Sequence, residues 1–167
     1  TLQLLFPKIG KKMLFIAENG AYSSYLNETI FFSKIEDTYI KKIINDAKKL
    51  PDVFPILCGK DCAYVDSNDP RLLKECDEYY KSCKVVNDLF DVDDDICKVA
   101  ICAFNGAEHF SYPIFSKYSE NLQVTLSGQI WVDISNLGLN KGKSVMAIQD
   151  KLGISKEESM AFGDYLN

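Results

Sequence analysis

The feature that most constrains the fold is the run at residues 97–104, in which almost every side chain is apolar. A run this short and this apolar is typical of a strand buried inside a sheet. Other short apolar runs alternate along the chain with segments whose apolar residues recur at helical spacing. Such alternation predicts a mixed α/β fold rather than an all-helical or all-β one.

Local signals place the remaining elements. Asp37 and Asp69 are predicted N-caps, Pro113 predicts an irregularity within its helix, and Gly153 predicts a helix end. The predicted helices lie at 37–50, 70–80, 107–118 and 141–152. The predicted strands lie at 12–17, 21–26, 29–33, 53–58, 63–65, 97–104, 123–126, 129–134 and 159–162.

Composition excludes several classes of partner. The net charge is −5 and the basic residues are scattered, which argues against a nucleic-acid partner. No apolar run reaches the roughly 20 residues of a membrane span, so we expect no membrane partner. The six cysteines form no Cys-x-x-Cys pair and His109 is the only histidine, which disfavours a zinc site. Reduced cysteines buried as small apolar side chains suit a cytoplasmic location.

The end of the chain carries the residues with the clearest chemistry. Lys141 begins a predicted helix, whose N-terminus is electropositive. A predicted strand then delivers Asp164 at its C-terminal end, where ligands of α/β sheets bind. A lysine and a carboxylate there can serve one phosphate and one Mg²⁺ together. On residue types alone, structural roles for both residues remain the simpler explanation.

Three stretches of the sequence resemble a known family. NKGKSVMAIQDKLGISKEESMAFGDYLN resembles the third and fourth motifs of haloacid dehalogenase (HAD) phosphatases of the Cof-type group. FPKIGKKMLFIAENGA resembles the core strand that precedes the cap in that group, and LCGKDCAYVDSNDP resembles a cap segment of its sugar-phosphatase branch. The resemblance covers nearly the whole chain in the family's order.

The resemblance implies an architecture and the roles of three site residues. Residues 22–137 would form an α/β cap, an open sheet with helices on one face, and residues 1–21 and 138–167 would be parts of a Rossmann-like core. Lys141 would contact the phosphoryl group, and Asp164 would bind Mg²⁺. Asn167 would help to hold the substrate, and Asn19 is a substrate-binding candidate whose turn-forming role explains it equally well.

The sequence departs from the family in its missing motifs. It contains neither the Asp-x-Asp-Gly-Thr motif of the nucleophile nor the Ala-Thr-Gly-Arg motif, and the last Asp of the fourth motif would follow Asn167. Residues 89–95 imitate an Asp-x-Asp start without its Gly-Thr, and we interpret them as a solvated acidic loop. We therefore expect a fragment without phosphatase turnover of its own, whose exposed core edges self-associate.

In its full-length form the protein is expected to be a Mg²⁺-dependent phosphate monoester hydrolase. The substrate would be a sugar phosphate or another small phosphorylated metabolite, attacked by an aspartate of the missing motif. A stand-alone cap-like domain for binding or interaction is the alternative, and the sequence upstream of Thr1 would decide between them. A P-loop or dinucleotide site is disfavoured, since neither glycine-rich motif occurs.

Overall fold

A computed structural model describes residues 6, 8–26, 28–160 and 162. Its strands form two sheets, one with three strands in the order β1-β2-β3 and one with six in the order β6-β5-β4-β7-β9-β8. The strands are β1 Leu14–Ala17, β2 Tyr22–Tyr25, β3 Glu28–Phe32, β4 Val53–Gly59, β5 Ala63–Val65, β6 Cys83–Val85, β7 Ile96–Ala103, β8 Leu122–Leu126 and β9 Trp131–Asn136. The α-helices are α1 Asp37–Ala47, α2 Pro70–Tyr79, α3 Tyr112–Phe115 and α4 Lys141–Leu152.

The central strand of the large sheet is β7, the apolar run that the sequence singled out. It pairs antiparallel with β4 on one side and with β9 on the other. Because side chains alternate along a strand, Val99 and Ile101 point to one face while Ala100 and Cys102 point to the other. All four are fully buried, so both faces of the sheet are covered at this strand. The predicted mixed fold with an open sheet is confirmed.

The helices cover both faces of this sheet, and the expectation that they lie on one face is wrong. The α1 helix buries Ile43 and Ile44 in the same cluster as Val99 and Ile101. The α2 helix instead packs on the opposite face, in the cluster that contains Ala100 and Cys102. The strands β5 and β6 are parallel, so a crossover connection such as α2 must pass over one face between them.

The hairpin predicted near residue 27 belongs to the small sheet. Strand β2 pairs antiparallel with both β1 and β3, so the predicted boundary between residues 21 and 22 falls inside one sheet. The two sheets meet at a buried cluster of Ala21, Cys97 and Leu139. The Ile35 amide, on the connection from β3, donates to the Ile96 carbonyl of β7 at 2.7 Å.

Several local predictions need correction. The N-cap of α1 is Glu36 rather than Asp37, which is the first helical residue and lies where a negative charge is favourable. Residues 159 and 160 form no strand, because no described strand runs beside them to complete a ladder. The sequence also missed β6, whose three residues include a lysine and are half exposed.

The irregularity predicted at Pro113 is confirmed. A π-turn at Ala107–Ser111 leads into α3, and a 3₁₀ turn at Ser116–Tyr118 follows it. Proline lacks the N–H that a regular α-helix needs from every interior residue, which explains the break in helical geometry here. Among the described residues, no helix has both the length and the apolar character required to cross a bilayer.

Candidate active site

The N-terminus of α4 is an electropositive helix end at the predicted site. The Asn140 side chain accepts a hydrogen bond of 2.8 Å from the Lys143 amide, so the helix begins at Lys141 as predicted. Its first turn holds no acidic residue, and the side chains of Lys141 and Lys143 are exposed. The helix has twelve residues, and the free amides and the two lysines at its N-terminus favour the binding of an anion there.

The turn Glu18–Gly20 lies directly against this helix end. The buried Ser144 hydroxyl of α4 donates to the Gly20 carbonyl at 2.5 Å. Gly20 has a φ of +100°, and a Cβ placed on it would lie 2.6 Å from the Asn140 carbonyl oxygen. Only glycine fits both the backbone conformation and the close approach. The structure therefore places the Asn19 turn beside the helix that begins at Lys141.

The backbone of this turn is unusual for its residue types. The φ values of Glu18, Asn19 and Gly20 are 50°, 54° and 100°, so three consecutive residues have a left-handed backbone conformation. Asparagine and glycine tolerate this region, whereas a glutamate there is uncommon. Backbone held in a sparsely populated region persists where the surrounding contacts over-determine it. The turn is thus fixed by its neighbours rather than by its own preferences.

A buried charge cluster contacts the same turn from the side of the large sheet. The Lys98 ammonium of β7 lies 2.8 Å from a Glu18 carboxylate oxygen and 3.7 Å from one of Asp133 on β9. Burial opposes the Lys98 charge, but nearby negative groups that include Asp133 and Glu18 outweigh it and raise the pKa of Lys98. Burial opposes the charge of Asp133 as well, and because this group is an acid, burial raises the pKa of its carboxyl.

Sequence reasoning missed this cluster, although one signal for it was present. Lys98 is the charged residue inside the apolar run 97–104. Lysine is almost never fully buried unless it is paired. A lysine in such a strand therefore predicts a carboxylate partner nearby, but nothing in the sequence identifies Glu18 or Asp133 as that partner.

Of the four predicted site residues, the structure describes two. Lys141 and Asn19 lie on the adjoining helix end and turn, whereas Asp164 and Asn167 lie outside the described residues. In the described part of the chain, no group of three or more His, Cys, Asp or Glu side chains could hold a metal ion. His109 is exposed at the surface.

The acidic loop near β7 has a structural role that the sequence did not predict. Asp94 is half buried, and its carboxylate accepts hydrogen bonds from the Tyr64 hydroxyl at 2.9 Å and the Asp61 amide at 3.0 Å. It thereby holds the hairpin between β4 and β5. The interpretation of residues 89–95 as a solvated acidic loop is therefore only partly right, because Leu89–Asp91 form a 3₁₀ turn with Leu89 buried, and Asp94 is held by hydrogen bonds.

Comparison with known proteins gives a consistent result. The haloacid dehalogenase-like hydrolase family matches residues 1–167. The 5-amino-6-(5-phospho-D-ribitylamino)uracil phosphatase YbjI of Escherichia coli is 23% identical over 164 residues, which are 95% of this chain and 59% of that protein.

Solved structures show the same fold. The structure of SMU.1108c from Streptococcus mutans aligns with a TM-score of 0.79 at 23% identity, covering 98% of this chain and 63% of that one. The HAD subclass IIB sugar phosphatase BT4131 aligns with a TM-score of 0.72 at 17% identity, covering 94% of this chain and 58% of that one. The chain thus spans about three fifths of the length of these relatives.

Proposed function

The chain belongs to the haloacid dehalogenase-like hydrolases, and from that membership we propose that the complete protein is a Mg²⁺-dependent hydrolase of small phosphate monoesters. Sugar phosphates are the first candidates, because a sugar phosphatase is among the structures that share the fold. The similarity to a phosphatase that acts on a phosphorylated ribityl compound points to the same general class of substrate. The proposed location is the cytoplasm, where reduced cysteines are stable.

One observation carries this proposal most strongly. The N-terminus of α4, with Lys141 as its first residue and no acidic residue in its first turn, adjoins the Asn19–Gly20 turn. A helix N-terminus with a lysine attracts a phosphoryl group through the free amides and through the ammonium charge. We assign to Lys141 the role of offsetting negative charge on the phosphoryl group as it is transferred.

The remaining roles are proposals from the family motifs. Asn19 and Asn167 would hold the substrate, and Asp164 would bind Mg²⁺. The described residues alone do not supply a set of Mg²⁺ ligands. Bound Mg²⁺ would contribute charge neutralisation at the phosphate oxygens.

The nucleophile is the part of the reaction that this sequence does not supply. The printed residues contain no Asp-x-Asp-Gly-Thr motif, and the acidic loop at 89–95 contributes Asp94 to a hairpin rather than to a phosphate site. We therefore propose that these 167 residues, tested alone, release no phosphate from esters.

The proposal is tested with the complete gene product and two lysine substitutions on the same helix. Lys141→Met should lower kcat/KM for phosphate esters by about a hundredfold or more, as expected when a group that stabilises transition-state charge is lost. Lys151→Met is the matched control, because it removes an exposed lysine from the last turn of the same helix, at the end opposite to the proposed phosphate site. Equal losses in both variants, or full activity in Lys141→Met, would contradict the assigned role of Lys141.

A binding or interaction domain remains a second candidate because of one observation. The six-stranded sheet has apolar side chains packed on both faces, so its core does not depend on the small sheet. The gene sequence upstream of Thr1 would distinguish the hydrolase from the binding domain. An Asp-x-Asp-Gly-Thr motif in the same reading frame supports the hydrolase, and its absence supports the binding domain.

A further inference from the structure

The charge cluster at Lys98 has no part in the proposed chemistry, and its burial needs a physical reason. The Lys98 side chain is 13% exposed, whereas Lys34, which also bridges two carboxylates, is 45% exposed. Moving an ammonium out of water carries a desolvation cost that ion pairs only partly repay. An apolar residue at position 98 would suit the rest of β7 better. The lysine is therefore not explained by stability alone.

The two carboxylates of the cluster come from different parts of the molecule. Asp133 lies on β9, the strand that pairs with β7 in the same sheet. Glu18 lies on the turn that follows β1, in the other sheet. The Lys98–Glu18 contact is therefore an ion pair that joins the six-stranded sheet to the Glu18–Gly20 turn.

The same turn is held from its other side by α4. The Ser144 hydroxyl donates to the Gly20 carbonyl at 2.5 Å, and Gly20 has no room for a side chain against Asn140. The turn thus contacts β7 on one side and the start of α4 on the other. The turn between them has three consecutive left-handed residues, a conformation that its neighbours must maintain.

We propose that Lys98 is a positioning residue, whose ion pair with Glu18 fixes the Glu18–Gly20 turn and, through it, the placement of the α4 N-terminus relative to the six-stranded sheet. The consequence for catalysis rests on the proposed function, because it assumes that Lys141 contacts the phosphoryl group. The mechanical link itself does not depend on that assumption. Loss of the ion pair should loosen both the turn and the helix end together.

Hydrogen exchange of the 167-residue chain tests the mechanical link. Lys98→Met should speed amide exchange about tenfold in peptides covering residues 17–21 and 140–144, since both are opened by the same local event. Lys98→Arg restores the charge and should keep both rates near those of the unsubstituted chain. Lys34→Met is the matched control, because Lys34 is exposed and also contacts two carboxylates. This substitution should leave the exchange rates of both peptides unchanged.

Three outcomes of this experiment would overturn the proposal. They are unchanged exchange at both sites, faster exchange in the turn without the helix end, and an equal acceleration across all peptides. If Lys98→Met does not fold, Glu18→Gln decides, because it removes the charge from the half-exposed partner and leaves Lys98 paired with Asp133. It should accelerate exchange in the same two peptides by a smaller factor, and unchanged rates would overturn the proposal.

Kinetics of the complete gene product test the catalytic consequence. If Lys98 positions Lys141, Lys98→Met should lower kcat about tenfold with little change in KM, the pattern of an interaction that matters mainly in the transition state. Lys98→Arg should recover most of the loss. Unchanged kcat per folded molecule in Lys98→Met would overturn the catalytic part.

The proposed function and the proposed role of Lys98 can be rejected independently of each other. If no form of the complete gene product releases phosphate, the proposed function is wrong, and the exchange experiment still decides whether Lys98 links the sheet to α4. If the unsubstituted enzyme is active and Lys98→Met exchanges like it at both sites, the link is wrong and the hydrolase remains.

Discussion

Gly20 is the residue on which the candidate site depends most directly. Gly20→Ala would place a Cβ 2.6 Å from the Asn140 carbonyl oxygen and from the Ser144 hydroxyl, in a backbone with a φ of +100°. We expect the free energy of unfolding to fall by about 3 kcal/mol, because the left-handed strain and the clash with backbone add together. Urea denaturation of the two proteins measures the difference.

Gly153 provides the matched control for that substitution. It also has a positive φ, of +67°, but a Cβ there would meet no described heavy atom within 4 Å. Gly153→Ala should therefore cost only the left-handed strain, about 1 kcal/mol. Equal losses for the two alanine variants would show that the contact between Gly20 and α4 contributes nothing to stability.

For single residues, the local structural role was predicted from the sequence, whereas the residues that they contact were not. Lys141 and Gly153 follow from local rules, since helix starts and helix ends are encoded by a few neighbouring positions. The Lys98–Glu18 contact joins residues 80 positions apart, and no periodicity or capping rule specifies which carboxylate a buried lysine meets. Ser144 was similarly missed because its acceptor, Gly20, lies in another element.

The start of α2 offers a test of an element through pH. Asp69 caps this helix by accepting from the Arg71 amide at 2.8 Å, and its other oxygen lies 2.7 Å from the Arg71 guanidinium. Hydrogen bonding from that guanidinium lowers the pKa of Asp69 from 3.8 to about 2. The folded pKa is below the unfolded one, so the contribution to stability is complete above pH 4 and is lost between about 4 and 2.

Asp69→Asn isolates this effect, because asparagine keeps the cap and removes the charge. We expect the unsubstituted chain to have the higher Tm above pH 4, and the difference between the two proteins to shrink as the pH falls toward 2. Thermal melts by circular dichroism at a series of pH values measure it. A difference that stays constant over this range would contradict the assigned ion pair.

Elements with strong local signals were predicted well, and those that depend on distant pairing were not. The helix at Lys141–Leu152 and the strand at Ile96–Ala103 match the predictions closely. The face occupied by α2 depends on the parallel pairing of β5 with β6, and no pattern in the sequence indicates β6. The strand at 159–162 was predicted from apolar composition alone. Ser159 and Met160 do not form it, because no described strand lies beside them.

For the whole molecule, the exposed apolar residues after the site bear on self-association. Val145, Met146, Leu152 and Ile154 are each at least 40% exposed on or just after α4. We propose that these side chains contribute to the self-association predicted for the exposed core edges, since exposed apolar side chains of this kind mark interaction surfaces.

Sedimentation of the 167-residue chain tests this proposal. Val145→Glu should weaken association about tenfold, because burying one valine contributes between about 1.5 and 3 kcal/mol. Gln129→Glu adds the same charge at an exposed position between β8 and β9, outside α4, and should leave association unchanged. A monodisperse monomer for the unsubstituted chain at high concentration would count against the proposal.

We propose that these residues hold the phosphate-contacting lysine of a Mg²⁺-dependent phosphatase but not its nucleophile. Phosphate release from an aryl phosphate in the presence of Mg²⁺, measured side by side for the complete gene product and for the 167-residue chain, tests it most directly. We expect turnover by the complete product that disappears on removal of Mg²⁺, and none by the 167-residue chain. Turnover by the 167-residue chain, or no turnover by the complete product, would show that the proposal is wrong.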